Sequence, residues 1–251
     1  MNNEQLISSW REQFNGLFGI VSIKNTLPSV EQNWLLSHLN TAIDHTLLKS
    51  NATSSDIEKL CKEAEEHGFA SVCIYPSWVP HATSLLNNSE VKVCTVVGFP
   101  HGNSSTEIKS HETKKAVEDG ACEIDMVIQL GALKSRDFQT VLTDIKNVVT
   151  AADPHLVKVI IETSALNQEE KIQACLLAEH AGAHFVKTST GFGEHGAKVA
   201  DVELMAEVVG RTMGIKASGG IRTLEAAKNM VMAGATRLGT SASVDITSGL
   251  S

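Results

Sequence analysis

Three charged side chains stand where buried strands should carry apolar ones. In HFVKTSTGFG, residues 184–193, Phe185 and Val186 read as strand interior and Lys187 follows at once. In GIKASGG, 214–220, Lys216 sits between Ile215 and Ala217, and in CEIDMVI, 122–128, Asp125 sits between Ile124 and Met126. Lysine and aspartate are almost never fully buried unless paired. Two neighbouring ammonium groups disfavour each other's charge, and burial disfavours both. One lysine would then hold a free amine, which attacks a carbonyl and forms a Schiff base. The iminium is an electron sink for breaking a neighbouring carbon–carbon bond, and an aspartate beside it could move the protons. The bland alternative is a lysine that snorkels to water or pairs with an acid. Two such lysines with an inward aspartate favour the chemistry over that alternative.

The elements that would position them repeat along the chain. Short apolar strands are expected at 41–44, 70–75, 91–99, 122–128, 156–163, 184–190, 214–218 and 236–240, each rich in Val, Ile or Cys. Helical patterns fall between them at 54–68, 77–88, 105–119, 134–152, 167–182, 198–210 and 222–234. Several open on a capping residue, as at Ser54-Ser55-Asp56 and Thr223, and several close on glycine, as at Gly68, Gly120, Gly182, Gly210 and Gly234. Strands separated by helices pair in parallel through right-handed crossovers. An open doubly wound sheet and a closed barrel both satisfy that rule. Eight strands, 251 residues and no GxGxxG after the first strand favour a single (β/α)8 barrel.

Residues 1–39 stand outside the repeat and form an N-terminal helical extension, with the barrel domain at 40–251. Leu6, Trp10, Phe14 and Leu17 follow a helical spacing. Two roles are open for that helix: a cover over the bottom of the barrel, or a contact between the subunits of a homodimer.

Composition narrows the partners. Apolar residues make up 42% of the chain, enough for a large core, and the formal net charge is −8. A chain of that sign without a basic cluster repels nucleic acid and anionic membranes. No stretch reaches the roughly 18 apolar residues of a membrane span, and the start reads unlike a secretory signal. The five cysteines (Cys61, Cys73, Cys94, Cys122 and Cys175) are widely spaced, as free thiols in a reducing cytoplasm would be. His180 and His184 are four apart, but Gly182 lies between them where a helix should end, so no metal is expected there.

Active sites of such barrels lie at the C-terminal ends of the strands. Side chains alternate along a strand, which puts Lys187 on the side of Phe185 and Ser189, and Asp125 on the side of Glu123 and Val127. Asp44-His45-Thr46 closes the first strand. The Gly219-Gly220 turn in SGGIRT, the stretch GTSAS at 239–243 and Gly191 offer backbone N–H groups to an anion. Loops after strands seven and eight are the usual phosphate site of this architecture. The expected ligand is a small phosphorylated carbonyl compound.

Taken together, IDHTLLK (43–49), VCIYP (72–76), VVGFPHG (96–102), EIDMVI (123–128), KVIIET (158–163), FVKTSTGF (185–192), IKASGGIRT (215–223) and RLGTS (237–241) resemble the deoxyribose-phosphate aldolases, which are class I aldolases. The resemblance implies reversible cleavage of 2-deoxy-D-ribose 5-phosphate into D-glyceraldehyde 3-phosphate and acetaldehyde, with no metal or organic cofactor. It gives the Schiff base to Lys187, the tuning role to Lys216 and the proton relay to Asp125. It places Asp44, Thr46, Cys73 and Thr190 around the substrate, with Cys73 open to unsaturated aldehydes, and the phosphate against Gly191, Gly219, Gly220 and Ser241.

Three departures accompany it. Ala242 stands where many relatives have a second serine, leaving Ser243 as a candidate substitute. The one tyrosine is Tyr75, so the C-terminal tyrosine of some relatives has no counterpart. Glu194 and His195 bring charge to the rim within GFGEHGAK and read as solvated loop residues. Two rival classes are a carboxylate-driven phosphosugar isomerase or decarboxylase, and a non-catalytic phosphosugar-binding protein.

Overall fold

The computed structural model describes residues 2–21 and 32–249; the stretch 22–31 of the N-terminal extension lies outside them. Eight strands form a closed barrel in sequence order: β1 (Ile43–Leu47), β2 (Ser71–Ile74), β3 (Lys92–Val97), β4 (Glu123–Val127), β5 (Leu156–Ile160), β6 (Phe185–Lys187), β7 (Gly214–Ser218) and β8 (Arg237–Thr240). All neighbours pair in parallel, and β8 closes on β1 with Asp44 opposite Gly239. Every expected strand is present; β1 is displaced from 41–44 to Ile43–Leu47, β7 keeps its bounds, and the other six are trimmed to the residues whose backbone pairs.

The register sets the site. Lys187 lies directly opposite Lys216, Lys216 opposite Arg237, Asp125 opposite Lys158 and Cys73 opposite Cys94. In β4, Ile124 and Met126 are fully buried on the helix side while Glu123 and Asp125 are buried on the other. Both faces are dry, which is why the strands read as unbroken apolar runs.

The helices are α1 (Asn3–Phe18), α2 (Gln32–Ser37), α3 (Ser54–His67), α4 (Val79–Leu85), α5 (Thr106–Glu118), α6 (Leu130–Lys134), α7 (Phe138–Ala152), α8 (Gln168–His180), α9 (Val199–Val209), α10 (Leu224–Met232) and α11 (Ser243–Ser248). The helix expected at 134–152 is α7, which starts four residues later, and the short α6 before it shares only Lys134 with the expected span. Arg136 adopts φ +58° and Asp137 caps α7 by accepting the Thr140 N–H, so the chain breaks and restarts there. Thr53, one residue before the expected cap, opens α3 in a capping box with Asp56. The C-terminal α11 had no periodic signal, being only six residues long.

The N-terminal extension divides its work. Trp10 and Phe14 of α1 bury themselves against Phe138, with ring centroids 5.7 and 5.0 Å away, and Arg11 donates to Glu179 and, at 2.7 Å, to the Val208 carbonyl. So α1 lies on the outside of α7, α8 and α9, a correction to its expected place beneath the barrel. The bottom is met instead by α2 and the turn Leu39–Ala42. There Gln32 donates to the Val231 and Met232 carbonyls at the end of α10, and Asn40 to the His67 carbonyl at the end of α3. Phe14 is fully buried with four aromatic neighbours, Trp10, Phe18, Phe138 and His180. Phe14→Ala should therefore destabilise the whole protein by about 3–5 kcal/mol. Chemical denaturation reads this directly, and an unchanged midpoint would show α1 to be energetically separate from the barrel.

Candidate active site

The strand register draws seven charged groups into the barrel. The Asp125 carboxylate is the hub: Oδ2 accepts from Lys187 Nζ at 2.8 Å and Lys216 Nζ at 2.7 Å, and Oδ1 accepts from Lys158 Nζ at 2.8 Å. Lys216 also holds Asp44 Oδ2, whose Oδ1 takes Arg237 at 2.6 Å. Lys158 reaches Glu123 Oε2 at 2.6 Å, and Arg237 meets the same carboxylate at 3.1 Å. Lys158, Lys187, Lys216 and Arg237 thus face Asp44, Glu123 and Asp125, one more cation than anions.

Such a surplus in a dry cavity is costly, and losing one proton removes it. Burial disfavours charge on Lys216, but Asp125 and Asp44 outweigh it and hold the amine above its ordinary value of 10.5. Burial is likewise outweighed at Lys158, by Asp125, Cys94, Glu123 and Asp44. Burial would raise the Asp125 carboxyl, yet Lys158, Lys187 and Lys216 keep it well below the carboxylate range. Among the described residues, Lys187 contacts one carboxylate oxygen, already shared, and no second acid. Simple repulsion between two lysines is therefore not the whole of the electrostatics, because Asp125 lies between them as a common counter-ion. What sets the lysines apart is how many acids each one holds.

The far wall of the cavity is soft and apolar. Cys94 Sγ donates to Asp125 Oδ1 at 3.2 Å and accepts from Lys158 at 3.3 Å, while Cys73 Sγ lies 4.0 Å from Oδ2. Both thiols are fully buried. Cys73, Cys94 and Asp125 have the donor types of a thiophilic metal site, but three ammonium groups already occupy that carboxylate. Above the thiols, Leu48, Tyr75 and Phe99 form an apolar lip. Phe99 meets Tyr75 edge-on at 5.9 Å and Phe192 at 5.5 Å.

On the opposite side, the loops after β6 and β7 lie one on the other. Gly191, Gly219 and Gly220 adopt φ of +88°, +84° and +78°. A Cβ on Gly219 would fall 3.0 Å from Gly196 Cα and 3.5 Å from Gly191 Cα. The Ala197 N–H bonds the Ser218 and Gly219 carbonyls, and Ser218 Oγ donates to the Ser189 carbonyl at 2.6 Å. Ser241 is exposed just beyond β8. Ser243, by contrast, is fully buried and bonded to the Thr240 carbonyl and His45 Nδ1. It cannot supply the hydroxyl missing at Ala242. Thr46 Oγ1 donates to the Asp44 carbonyl at 2.8 Å, and the Thr190 hydroxyl donates to Glu162. Glu194 is exposed, and His195 pairs with the Gly196 carbonyl at 2.9 Å.

Comparison with known proteins adds a family to this geometry. Residues 39–249 match the model of the DeoC/LacD family aldolases. The chain belongs to that family. The deoxyribose-phosphate aldolase of Carboxydothermus hydrogenoformans is 59% identical over 83% of this chain and 93% of its own. That of Bdellovibrio bacteriovorus is 60% identical over 84% of this chain and 96% of its own. Among solved structures, the deoxyribose phosphate aldolase of Aeropyrum pernix, described as a tetramer, superposes with a TM-score of 0.80 at 34% identity, covering 85% of this chain and 91% of that one. A Coccidioides immitis structure, provisionally assigned as a deoxyribose-phosphate aldolase, matches 99% of this chain and 98% of its own at 41% identity, with a TM-score of 0.85.

For this family member, the residues that sequence reasoning missed are Lys158, Glu123, Arg237, Cys94 and Glu162. Lys158 carried a signal, since it interrupts the apolar run LVKVII as Lys187 interrupts its own strand. Glu123 shares the inward side with Asp125. Arg237 and Cys94 are recognisable only once the barrel closes.

Outside the barrel wall, His45 joins the aldolase's first strand to its last helix. Its Nδ1 meets Ser243 Oγ and its Nε2 meets Glu63 Oε2, each at 2.9 Å. Burial holds His45 below its ordinary 6.5, Glu63 only partly offsetting it; burial does the same to His184. Unfolding then takes up protons, so this stability is present above about pH 6.5 and lost as pH falls through the folded values. The unfolding free energy should decline from pH 7 to pH 5, with a smaller slope in His45→Gln. An unchanged slope in that variant would mean that His45 binds its proton equally well in the folded and unfolded protein.

Proposed function

We propose that this chain is a class I aldolase that reversibly cleaves 2-deoxy-D-ribose 5-phosphate into D-glyceraldehyde 3-phosphate and acetaldehyde. Supporting this reading is the sharing of one Asp125 oxygen by Lys187 and Lys216 on directly opposed strand positions, together with the names of relatives at 59 and 60% identity.

The open-chain sugar presents its C1 aldehyde to Lys187 Nζ, the lysine of the three that contacts a single carboxylate. The amine adds to the carbonyl, water leaves, and an iminium forms. Loss of the C3 hydroxyl proton breaks the C2–C3 bond, and its electron pair moves into the iminium to give an enamine. The phosphorylated three-carbon aldehyde departs. Protonation of the enamine at C2 and addition of water release acetaldehyde and restore the amine. Asp125, with both ammonium groups on one oxygen, relays protons between them and the substrate. Lys216 keeps its charge and acts as the acid of the pair. The iminium is its own electron sink, so the scheme calls for no metal or organic cofactor.

Asp44 and Thr46 order the substrate's hydroxyl end, with Cys73 and Thr190 beside it. The phosphate rests on the N–H groups of Gly191, Gly219 and Gly220 and the hydroxyl of Ser241. The barrel at 40–251 is the catalytic domain and residues 1–39 are an N-terminal extension, of which α1 packs on the outer wall. The partner is thus a small phosphorylated aldehyde or sugar rather than nucleic acid or a membrane; no described helix is long and apolar enough to cross one. A cytoplasmic location fits five free cysteines. A homodimer is the simplest assembly for such a barrel.

A carboxylate-driven isomerase fits poorly. Asp44, Glu123 and Asp125 are each held by at least two cations, and those cations keep Asp44 and Asp125 below the ordinary carboxylate range. Acetaldehyde with borohydride should leave a stable adduct on Lys187, located by mass spectrometry; recovery of unmodified Lys187 would reject the aldolase. Lys187→Arg should abolish turnover, because guanidinium forms no imine. Lys216→Leu should bind substrate but turn over on the order of a hundredfold more slowly, since the ammonium that shares Asp125 Oδ2 with Lys187 is then gone. Undiminished kcat in that variant would remove Lys216 from the mechanism.

A further inference from the structure

Just above β5, Glu162 departs from ordinary backbone. It adopts φ +53°, one of two described non-glycine residues with positive φ, and its side chain is turned inward and buried. A left-handed glutamate is uncommon and marks a position held by its surroundings. Its carboxylate collects three donors. Oε2 accepts from the Thr190 N–H at 3.2 Å and from the Thr190 hydroxyl, and Oε1 accepts from Ser164 Oγ at 3.2 Å. Thr190 passes the constraint on, since its Oγ1 accepts the Phe192 N–H at 3.0 Å.

Gly193 reports the same contact from the other side. A Cβ there would come within 2.6 Å of Ser164 Oγ and 2.9 Å of Glu162 Cδ. The loop therefore lies directly on this carboxylate, and a side chain at 193 would lift it off. At its far end the loop is tied to the β7 turn through the Ala197 N–H. One end of the segment is Lys187, three residues before Thr190, and its middle is Gly191.

We propose that Glu162 is a positioning residue that clamps the loop after β6, fixing the phosphate-binding N–H of Gly191 at a set distance from Lys187 Nζ. The inference rests on the aldolase reading above and deepens it by naming what measures the length of the phosphorylated substrate. A phosphate held at the wrong distance carries its aldehyde away from the amine, so binding of the phosphorylated sugar is what the clamp serves. An unphosphorylated sugar makes no use of the Gly191 N–H, the part of the loop that the clamp sets.

The test is steady-state cleavage of 2-deoxyribose 5-phosphate and of 2-deoxyribose by Glu162→Gln and Gly193→Ala. Gln keeps one acceptor oxygen but sets an NH2 group among three donors. Both variants should raise KM for the phosphorylated sugar by on the order of tenfold to a hundredfold with kcat little changed. Both should cleave 2-deoxyribose within about twofold of the parent rate, since that substrate lacks the group the loop holds. Equal losses on the two substrates, or none on either, would overturn the assignment. Gly193 is exposed, so its variant disturbs the same contact while leaving Glu162 itself unsubstituted, should Glu162→Gln not fold. Borohydride trapping of acetaldehyde on Lys187 separates the two levels. Trapping intact with no phosphate-dependent effect removes only the clamp; no trapping in the parent protein removes the aldolase reading and the clamp with it.

Discussion

One carboxylate shared by three ammonium groups organises the interior of this barrel. Asp125 lies within 2.8 Å of Lys158, Lys187 and Lys216, and without it the three amines could not occupy one dry space. Asp44 from β1 and Glu123 from the same strand as Asp125 complete the set, and Arg237 joins them. The cluster is short of one negative charge, and Lys187 is the amine with the fewest acids around it. Catalytic character here is a matter of unequal shares in a common pool of counter-charge.

The rest of the architecture serves that pool. Opposed positions on β6 and β7 put Lys187 beside Lys216, and parallel register sets Asp125 level with Lys158. Apolar side chains alternating with the charged ones seal the helix layer, so that water does not screen the network. The loops beyond the strands are built from glycines whose positive φ lets one turn lie on the next. A thiol-and-aromatic wall faces them across the opening. The cavity is thereby polar at one edge, greasy at the other and charged at its floor.

Much of this was legible in the chain. Lysines and an aspartate inside apolar runs announce themselves, because burial of a charge needs a reason, and the alternation of strands with helices leads to the barrel. Lys158 breaks LVKVII in the same way and was equally legible. Glu162 closes the same expected strand, but its importance lies in a left-handed backbone that no residue type declares. The late start of α7 is hidden by a continuous periodic pattern, with Asp137 serving as cap rather than as surface charge. The place of α1 was beyond reach because its apolar stripe fits any dry face, whether under the barrel or beside it.

Closure of β8 onto β1 has a temporal meaning. The counter-ion for Asp44 is Arg237, on the last strand to be made, and Lys216 arrives only with the seventh. Domains emerge from the ribosome N-terminal end first. A growing polypeptide that has presented only its first six strands owns Lys187 but not the company that makes it reactive. In such a nascent intermediate Asp125 has yet to meet Lys216, and Asp44 has yet to meet either of its close cations, so the network is complete only when the final strand is in place.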